Sequence, residues 1–431
     1  MSRVRPPLPP GPWLVVGLAR SGVAAARALT ARGETVVAVD TGSPVVPDDL
    51  EAHLATDGLV QLAGARAVVK SPGVPREAAV IEAARARGIP VLGELELGWT
   101  LLENEFIAVT GTNGKTTTVE LLGAIHRAAG VAVEVAGNVG TAVSGLVGEL
   151  AAGAVVICET SSFQLEDTTY FAPEGAVLLN LDSDHLDRHG TREDYAAAKL
   201  RVFANQGNDD VAVAPCGLGV EDLGGCARRV CFGGDGELAD RAGHLWWDEQ
   251  PLIAHGEIRL RGAHNRANAA AAAAVALARG IDPDAVRGGL RTFGGVEHRL
   301  EEVADYDGVL YVNDSKATNV ASTLVALASF DAPVHLILGG QGKGQDFSTL
   351  RGRAHAAYLI GEAAEQLGRE VGGERCGDLE SAVARASGAA RAGDVVLLSP
   401  ACASFDQFED YEARGRAFKA LVADVGPSCE G

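Results

Sequence analysis

The chain has 431 residues, of which 47% are hydrophobic and 22% charged, with a formal net charge of -20. That length exceeds one compact core and predicts two or three domains. The acidic balance excludes a general nucleic-acid binder, because phosphate contacts need clustered lysine and arginine, although a local basic pocket can still take a small anion.

The first segment opens with "WLVVGLARSG", an apolar run from Trp13 to Val16 that ends at Gly17, with a helical pattern after Gly22. "ETVVAVD" is the next strand and ends at Asp40, and "AVVKSPGVP" and "IPVLGELELGW" continue the rhythm. Strands alternating with helices predict a parallel α/β sheet, with ligands at the C-terminal strand ends. Gly17 to Gly22 half-matches the dinucleotide fingerprint, with Ala19 in place of the middle glycine. Asp40 lies 18 residues past Gly22, close to where a ribose-binding acid sits. An NAD-dependent oxidoreductase therefore stays open as a rival reading.

The second segment begins near Glu103. "EFIAVTGTNGKTTT" reads as strand, turn and helix start. The usual phosphate loop asks for Gly-x4-Gly-Lys-[Ser/Thr], and Val109 stands where its first glycine belongs. The strand-to-helix context still predicts phosphate binding by the turn Gly111, Thr112, Asn113, Gly114 and by Lys115, Thr116 and Thr117. Backbone N–H groups at a helix start wrap phosphate, Lys115 neutralises it, and Thr116 reaches Mg²⁺. Glu159 ends the apolar run "AVVICE" and is the expected carboxylate for that ion. "LDSDHLDRHG" is dense in Asp and His; its aspartates read as solvated or capping residues, and His185 as a metal or substrate ligand. Lys199, in "AAAKLRVF", reads from chemistry alone as a surface helix lysine. "RGAHNRANAAAAAAVALARG" is a strong helix stopped by Gly280.

The third segment begins near Val296, with apolar runs in "GVLYVNDSKATN", "PVHLILGGQGKG", "AAYLIG" and "DVVLLSPACASFDQF". Arg299 and Lys316 are cations suited to charge on a transferring phosphate. The turn holding Lys343 lacks Ser/Thr after the lysine and reads as an anion or carboxylate site. Seven cysteines form no C-x-x-C pair and no Cys/His cluster, which argues against a disulfide framework and structural zinc and fits a reducing cytoplasm. The start is unlike a signal peptide, since five prolines precede the first apolar run, and no stretch reaches the roughly 18 uninterrupted apolar residues of a membrane span. A cytoplasmic protein without membrane or nucleic-acid partners is the expectation.

In chain order, "VVGLARSG", "TGTNGKTT", "GNVG", "ETSSFQLE", "DHLDRHG", "AAKLR", "HNRAN", "EHRLE", "NDSKATN", "GKGQDF" and "SPACASFDQF" together resemble the Mur ligases, the ATP-dependent amino-acid ligases of peptidoglycan synthesis. Within them the chain resembles the D-glutamate-adding branch, essentially end to end. The resemblance implies an α/β protein of three domains: a Rossmann-like domain over 1–102 for the UDP-linked substrate, a central P-loop ATPase-type parallel sheet over 103–296, and a Rossmann-like domain over 297–431 for the amino acid. It implies hinges near residues 102 and 296, and a monomer. ATP would meet the phosphate loop, Asn268 and Arg299, with Asp314 at the ribose. Two Mg²⁺ ions would be held by Thr116, Glu159, His185 and a carbamylated Lys199. UDP-N-acetylmuramoyl-L-alanine would meet Arg20, Ser21, Asp40, Thr41, Ser71, Gly73, Asn138 and Gln164. D-glutamate would meet Lys316, Thr318, Lys343, Ser404 and Tyr411.

Three positions depart from the family pattern: Gly42 where arginine is frequent, Gln341 where aspartate is common, and Tyr411 where phenylalanine is usual. Relatives that add meso-diaminopimelate or lysine typically carry Asp-Asn-Pro-Arg in the last domain, and the chain has no such motif. Folylpolyglutamate synthase shares the two later domains but not a Rossmann-like first one. A non-catalytic nucleotide sensor would keep Lys115 and lose His185 or Lys199, and both are present.

Overall fold

The computed structural model describes residues 3–182, 186–218, 223–260, 262–342 and 344–426. His185 and Lys343 therefore lie outside the described residues. The chain forms two compact units, one of Met1–Arg259 with His264–Phe293, the other of Leu260–Ala263 with Gly294–Gly431. No helix among the described residues is long and apolar enough to cross a membrane.

The larger unit holds two sheets. The first has five parallel strands in the order Ala52–His53, Val36–Val39, Trp13–Val16, Ala67–Lys70, Val91–Gly93. Its central strands read as unbroken apolar runs because helices cover both faces. Strand order reverses between Trp13–Val16 and Ala67–Lys70, and a crevice opens outside that point. "GELELGW" forms a helix, Glu94–Leu101, rather than extending the last strand. Its two acids are buried: Glu96 accepts backbone N–H groups from Thr169, Tyr170 and Phe171, and Glu94 accepts the Ser144 amide and hydroxyl. Trp99, Phe106 and Phe171 pack edge to face beside them, with centroids 5.8 and 6.3 Å apart.

The second sheet has nine strands, and Phe106–Thr110 lies between Gly175–Leu178 and Val155–Glu159. Seven of the strands are joined by parallel pairing; the last of them, Leu238–Arg241, then pairs antiparallel with His244–Trp247, and that strand with Gln250–Ala254, so that an antiparallel meander closes one edge. Cys216 and Cys231 form a disulfide, contrary to the expectation from cysteine spacing. Parallel pairing brings them together, because the Cys216 amide donates to the Phe232 carbonyl at 3.0 Å and their Cα atoms lie 5.1 Å apart.

The smaller unit has six strands in the order Glu301–Tyr306, Val309–Asn313, Val395–Leu398, Val334–Gly339, Ala356–Ile360, Glu374–Gly377, all parallel except the first. Two apolar clusters, one on each face, fill it. The strand ends carry Asp314 to Thr318, the Gly339–Gly340 turn and Ala401 to Ser404.

Candidate active site

The phosphate loop follows Phe106–Thr110 and leads into the helix Lys115–Ala128. Gly114, the residue before the helix, has φ 85°, and a Cβ there would stand 2.2 Å from the Asn268 Oδ1. Only glycine meets both demands. Asn268 thus packs on the loop. The loop is braced from the neighbouring strand: the Asn113 amide donates to Asn180 Oδ1 at 2.9 Å, and the Asp182 amide to Thr112 Oγ1 at 3.0 Å. Lys115 Nζ donates to the Gly111 and Thr112 carbonyls, both at 2.9 Å. Backbone donors and an ammonium group gathered at a helix start form an anion cradle.

Glu159 ends the strand beside the loop, paired in register with Val109. It is 2% exposed. Its Oε1 accepts from Asn138 Nδ2 at 2.9 Å, and its Oε2 is buried with no hydrogen-bond partner among the described residues. A buried carboxylate oxygen left this way is costly unless a ligand completes it. An oxygen-seeking divalent cation beside a phosphate loop fits that vacancy in the hydrogen-bond pattern.

Lys199 is 2% exposed, so the surface reading of its sequence is overturned. Its Nζ donates to the Gly111 carbonyl at 2.8 Å and lies 4.5 Å from the ring of Tyr195. Tyr195 and Asn180 are site residues that the sequence reading missed. Tyr195 sits one helical turn before Lys199, and its hydroxyl lies 3.1 Å from Thr112 Oγ1. That i, i+4 spacing was the available signal.

The crevice of the first sheet is a cavity of about 600 Å³. Ser21, Asp40, Thr41, Ser71, Gly73, Asn138 and Gln164 all line it. Arg20 does not; its guanidinium donates to the Gly140 carbonyl at 2.9 Å. Asp40 spends its carboxylate on backbone, accepting Leu18 N–H at 2.6 Å and Gly42 N–H at 2.7 Å, which shapes the turn instead of presenting an open acid to a ribose. Ser71 Oγ donates to the Gly17 carbonyl at 2.8 Å and so joins the two strand ends of the crevice. Asn138 lines the cavity and also touches Glu159, linking the crevice to the phosphate loop.

In the smaller unit, Asp314 is 5% exposed. Its oxygens accept Ser399 Oγ–H at 2.8 Å and Leu300 N–H at 3.2 Å, and burial pushes its carboxyl up to about 7. Arg299 follows His298, whose buried ring accepts the Asn313 amide at Nδ1, 2.9 Å away. That contact assigns the Nε2–H tautomer, and burial holds the imidazole below its ordinary value. Lys316 Nζ lies 5.6 Å from the ring centre of Tyr411. Burial also drives the Tyr411 phenol up to about 12. Ser404 is buried, and Thr318 is half-buried on the loop after the strand Val309–Asn313. Arg414 lies buried beneath these loops and donates to Ser315 O at 2.8 Å, Ser315 Oγ at 3.0 Å and Cys402 O at 3.2 Å.

Comparison with known proteins matches three family descriptions: the Mur ligase MurD-like N-terminal domain over residues 12–93, the Mur ligase middle domain over 109–217, and the glutamate ligase domain of Mur ligases over 298–402. The chain is 41% identical to UDP-N-acetylmuramoylalanine–D-glutamate ligase of Pelotomaculum thermopropionicum, over 96% of this chain and 97% of that one. It is 44% identical to the protein of the same name from Anaeromyxobacter dehalogenans, over 95% and 97%. Among solved structures it resembles UDP-N-acetylmuramate–alanine ligase MurC of Thermotoga maritima, at 18% identity, TM-score 0.59, and 96% and 99% coverage. MurF ligase of the same organism, in complex with ADP, aligns at 16% identity, TM-score 0.57, and 97% and 96% coverage. Similarity at that identity speaks for the fold.

Proposed function

The chain belongs to the Mur ligase family, and we propose that it joins D-glutamate to UDP-N-acetylmuramoyl-L-alanine at the expense of ATP, a cytoplasmic step of peptidoglycan synthesis. The observation that carries this reading is Asn138, which lines the crevice and donates to Glu159 beside the phosphate loop. A substrate held in the crevice by its UDP end has its acyl end led toward the γ-phosphate of ATP. The L-alanyl carboxylate attacks that phosphorus, ADP leaves, and an acyl phosphate forms. The amine of D-glutamate then attacks the acyl carbon, and phosphate departs as the amide forms.

The chain's own groups serve this sequence by placement and charge. The turn Gly111 to Gly114 and the helix start supply N–H donors to the phosphates, and Lys115 supplies an ammonium. Thr116 and Glu159 are the described residues that would hold Mg²⁺, with His185 completing the set. Mg²⁺, when bound, neutralises charge on the transferring phosphoryl group. We assign Lys199 as a carbamate, whose carboxylate would hold a second Mg²⁺; its burial beside Gly111 supports this, and intact mass in bicarbonate tests it by the gain of one CO₂. Asn268, Arg299 and Asp314 are assigned to ATP, and Lys316, Thr318, Lys343, Ser404 and Tyr411 to D-glutamate. Phosphate release is measured with ATP, UDP-N-acetylmuramoyl-L-alanine and one of D-glutamate, L-glutamate, L-lysine or meso-diaminopimelate. Release with D-glutamate alone is expected. Release with lysine or diaminopimelate overturns the amino-acid assignment, and no release with any overturns the ligase reading.

A further inference from the structure

Lys70 is the last residue of the strand Ala67–Lys70, next to the Ser71–Pro75 turn that walls the crevice. It is 0% exposed, a costly place for an ammonium group. Its Nζ lies 2.6 Å from Asp167 Oδ2 and donates to the Val74 carbonyl at 2.7 Å. The same carbonyl accepts Arg188 at 3.2 Å, and Arg188 pairs with Glu166 at 2.8 Å. Two cations thus hold one carbonyl of the turn, each tied to one of two consecutive carboxylates.

Glu166 and Asp167 follow directly on the four-residue helix Ser162–Leu165, which presents Gln164 to the crevice. A single turn of helix does not hold its own position. Its N-terminus has a capping box between Ser161 and Gln164, and its C-terminus has these two ion pairs. The turn and Gln164 belong to different sheets of the unit, and the ion pairs span the gap between them. The second oxygen of Asp167, 3.5 Å from Arg76 and 3.9 Å from Arg85, has no hydrogen-bond partner among the described residues, so Lys70 is its principal anchor.

We propose that Lys70 and Asp167, with Arg188 and Glu166 beside them, are positioning residues that set the spacing between the Ser71–Pro75 turn and Gln164 and so the affinity for the UDP-linked substrate. The proposal rests on reading the crevice as that substrate's site. None of the four residues is placed against the reacting atoms. Their effect falls on binding of one substrate and leaves the chemistry of the bound complex unchanged.

Steady-state kinetics of Lys70→Met and Asp167→Asn test this, with binding of UDP and of UDP-N-acetylmuramoyl-L-alanine measured by calorimetry. The expected result is a KM for the UDP-linked substrate raised about ten-fold or more, with kcat and the KM values for ATP and D-glutamate within about two-fold. The double variant Lys70→Met/Asp167→Leu separates positioning from folding, because replacing a buried ion pair by apolar residues restores stability. Its melting temperature should return toward that of the parent while the UDP-substrate affinity stays low. An unchanged KM in either single variant, or recovery of both stability and affinity in the double variant, overturns the proposal. Parent protein that binds no UDP compound overturns the reading of the crevice itself, a result distinct from parent binding that the variants retain.

Discussion

Each compact unit holds turns at its strand ends with a fully buried cation, and the two cations are neutralised in opposite ways. Lys70, in the larger unit, faces the carboxylate of Asp167. Arg414, in the smaller unit, has no carboxylate within ion-pair distance among the described residues and instead donates to carbonyl and hydroxyl oxygens around three strand ends. The difference follows from the head groups. Guanidinium spreads its charge over five N–H donors in a fixed plane, so several carbonyl dipoles can satisfy it, whereas ammonium is a compact charge that needs a compact partner. Burial lowers both pKa values, that of Arg414 to about 10.

Arg414→Met breaks this contrast with the largest expected effect. It strips donors from Ser315 and Cys402, whose carbonyls stay buried, at about 1–3 kcal/mol for each unsatisfied group. The expected loss is on the order of 4 kcal/mol in the smaller unit, near-constant from pH 6 to 9, read by hydrogen exchange at residues 313–318 and 399–404. Arg414→Lys should not rescue it, since three donors on one nitrogen cannot reach all three turns. Exchange rates unchanged in Arg414→Met would show that the carbonyls find other partners.

Asp167→Asn should cost less, about 3 kcal/mol near neutral pH, because Lys70 can shed its proton when its partner is gone. Lys70 already sits below the ordinary lysine range, burial outweighing the pull of Asp167, and the variant lowers it further. A lysine depressed only in the folded state binds fewer protons there than in the unfolded chain, so stability rises with pH across that window. The deficit of Asp167→Asn relative to the parent should therefore shrink as pH is raised from 7 toward 10. A deficit independent of pH would mean that Lys70 stays charged without its carboxylate.

Neither buried cation was legible in the sequence, and the reason is the same for both. A lone lysine or arginine reads as exposed, and the partners of Arg414 lie 12, 75 and 99 residues away. The strand-to-helix turn at Gly111–Gly114 and the strand end at Glu159 were each legible from a local pattern, and parallel pairing of their strands brings them side by side. Lys199 is an intermediate case: composition placed it on the surface, the family resemblance placed it in the site, and the fold buries it against Gly111. The antiparallel edge of the second sheet escaped notice for a turn-chemistry reason. Its two hairpins turn at Ala242–Gly243 and Asp248–Glu249, all at positive φ, without the Asn-Gly or Asp-Gly pair that marks such turns.

The last variant sharpens the comparison by adding a buried anion, and its effect is a dependence on pH rather than a loss at any one pH. Asp314 lies at one of the strand ends that Arg414 braces from the helix Tyr411–Val425, and it is likewise held by neutral groups, the Ser399 hydroxyl and the Leu300 amide. Unlike the arginine it titrates in the working range, because burial has moved it from 3.8 to about 7. Between those values the unfolded chain has released this proton and the folded chain retains it, so its contribution to stability is complete below about pH 4 and is lost as pH rises to about 7. Asp314→Asn keeps the shape and one acceptor but removes the proton equilibrium. The stability of the variant relative to the parent should therefore climb between pH 4 and 7, by at most about 1.4 kcal/mol per unit, and level off above. Urea titrations at half-unit pH steps measure that difference directly, and the other carboxylates cancel in it. A flat difference would place the Asp314 titration outside this window and make the two charged groups of the smaller unit equally inert to pH, leaving Lys70 as the one buried group in the comparison whose charge responds to solvent.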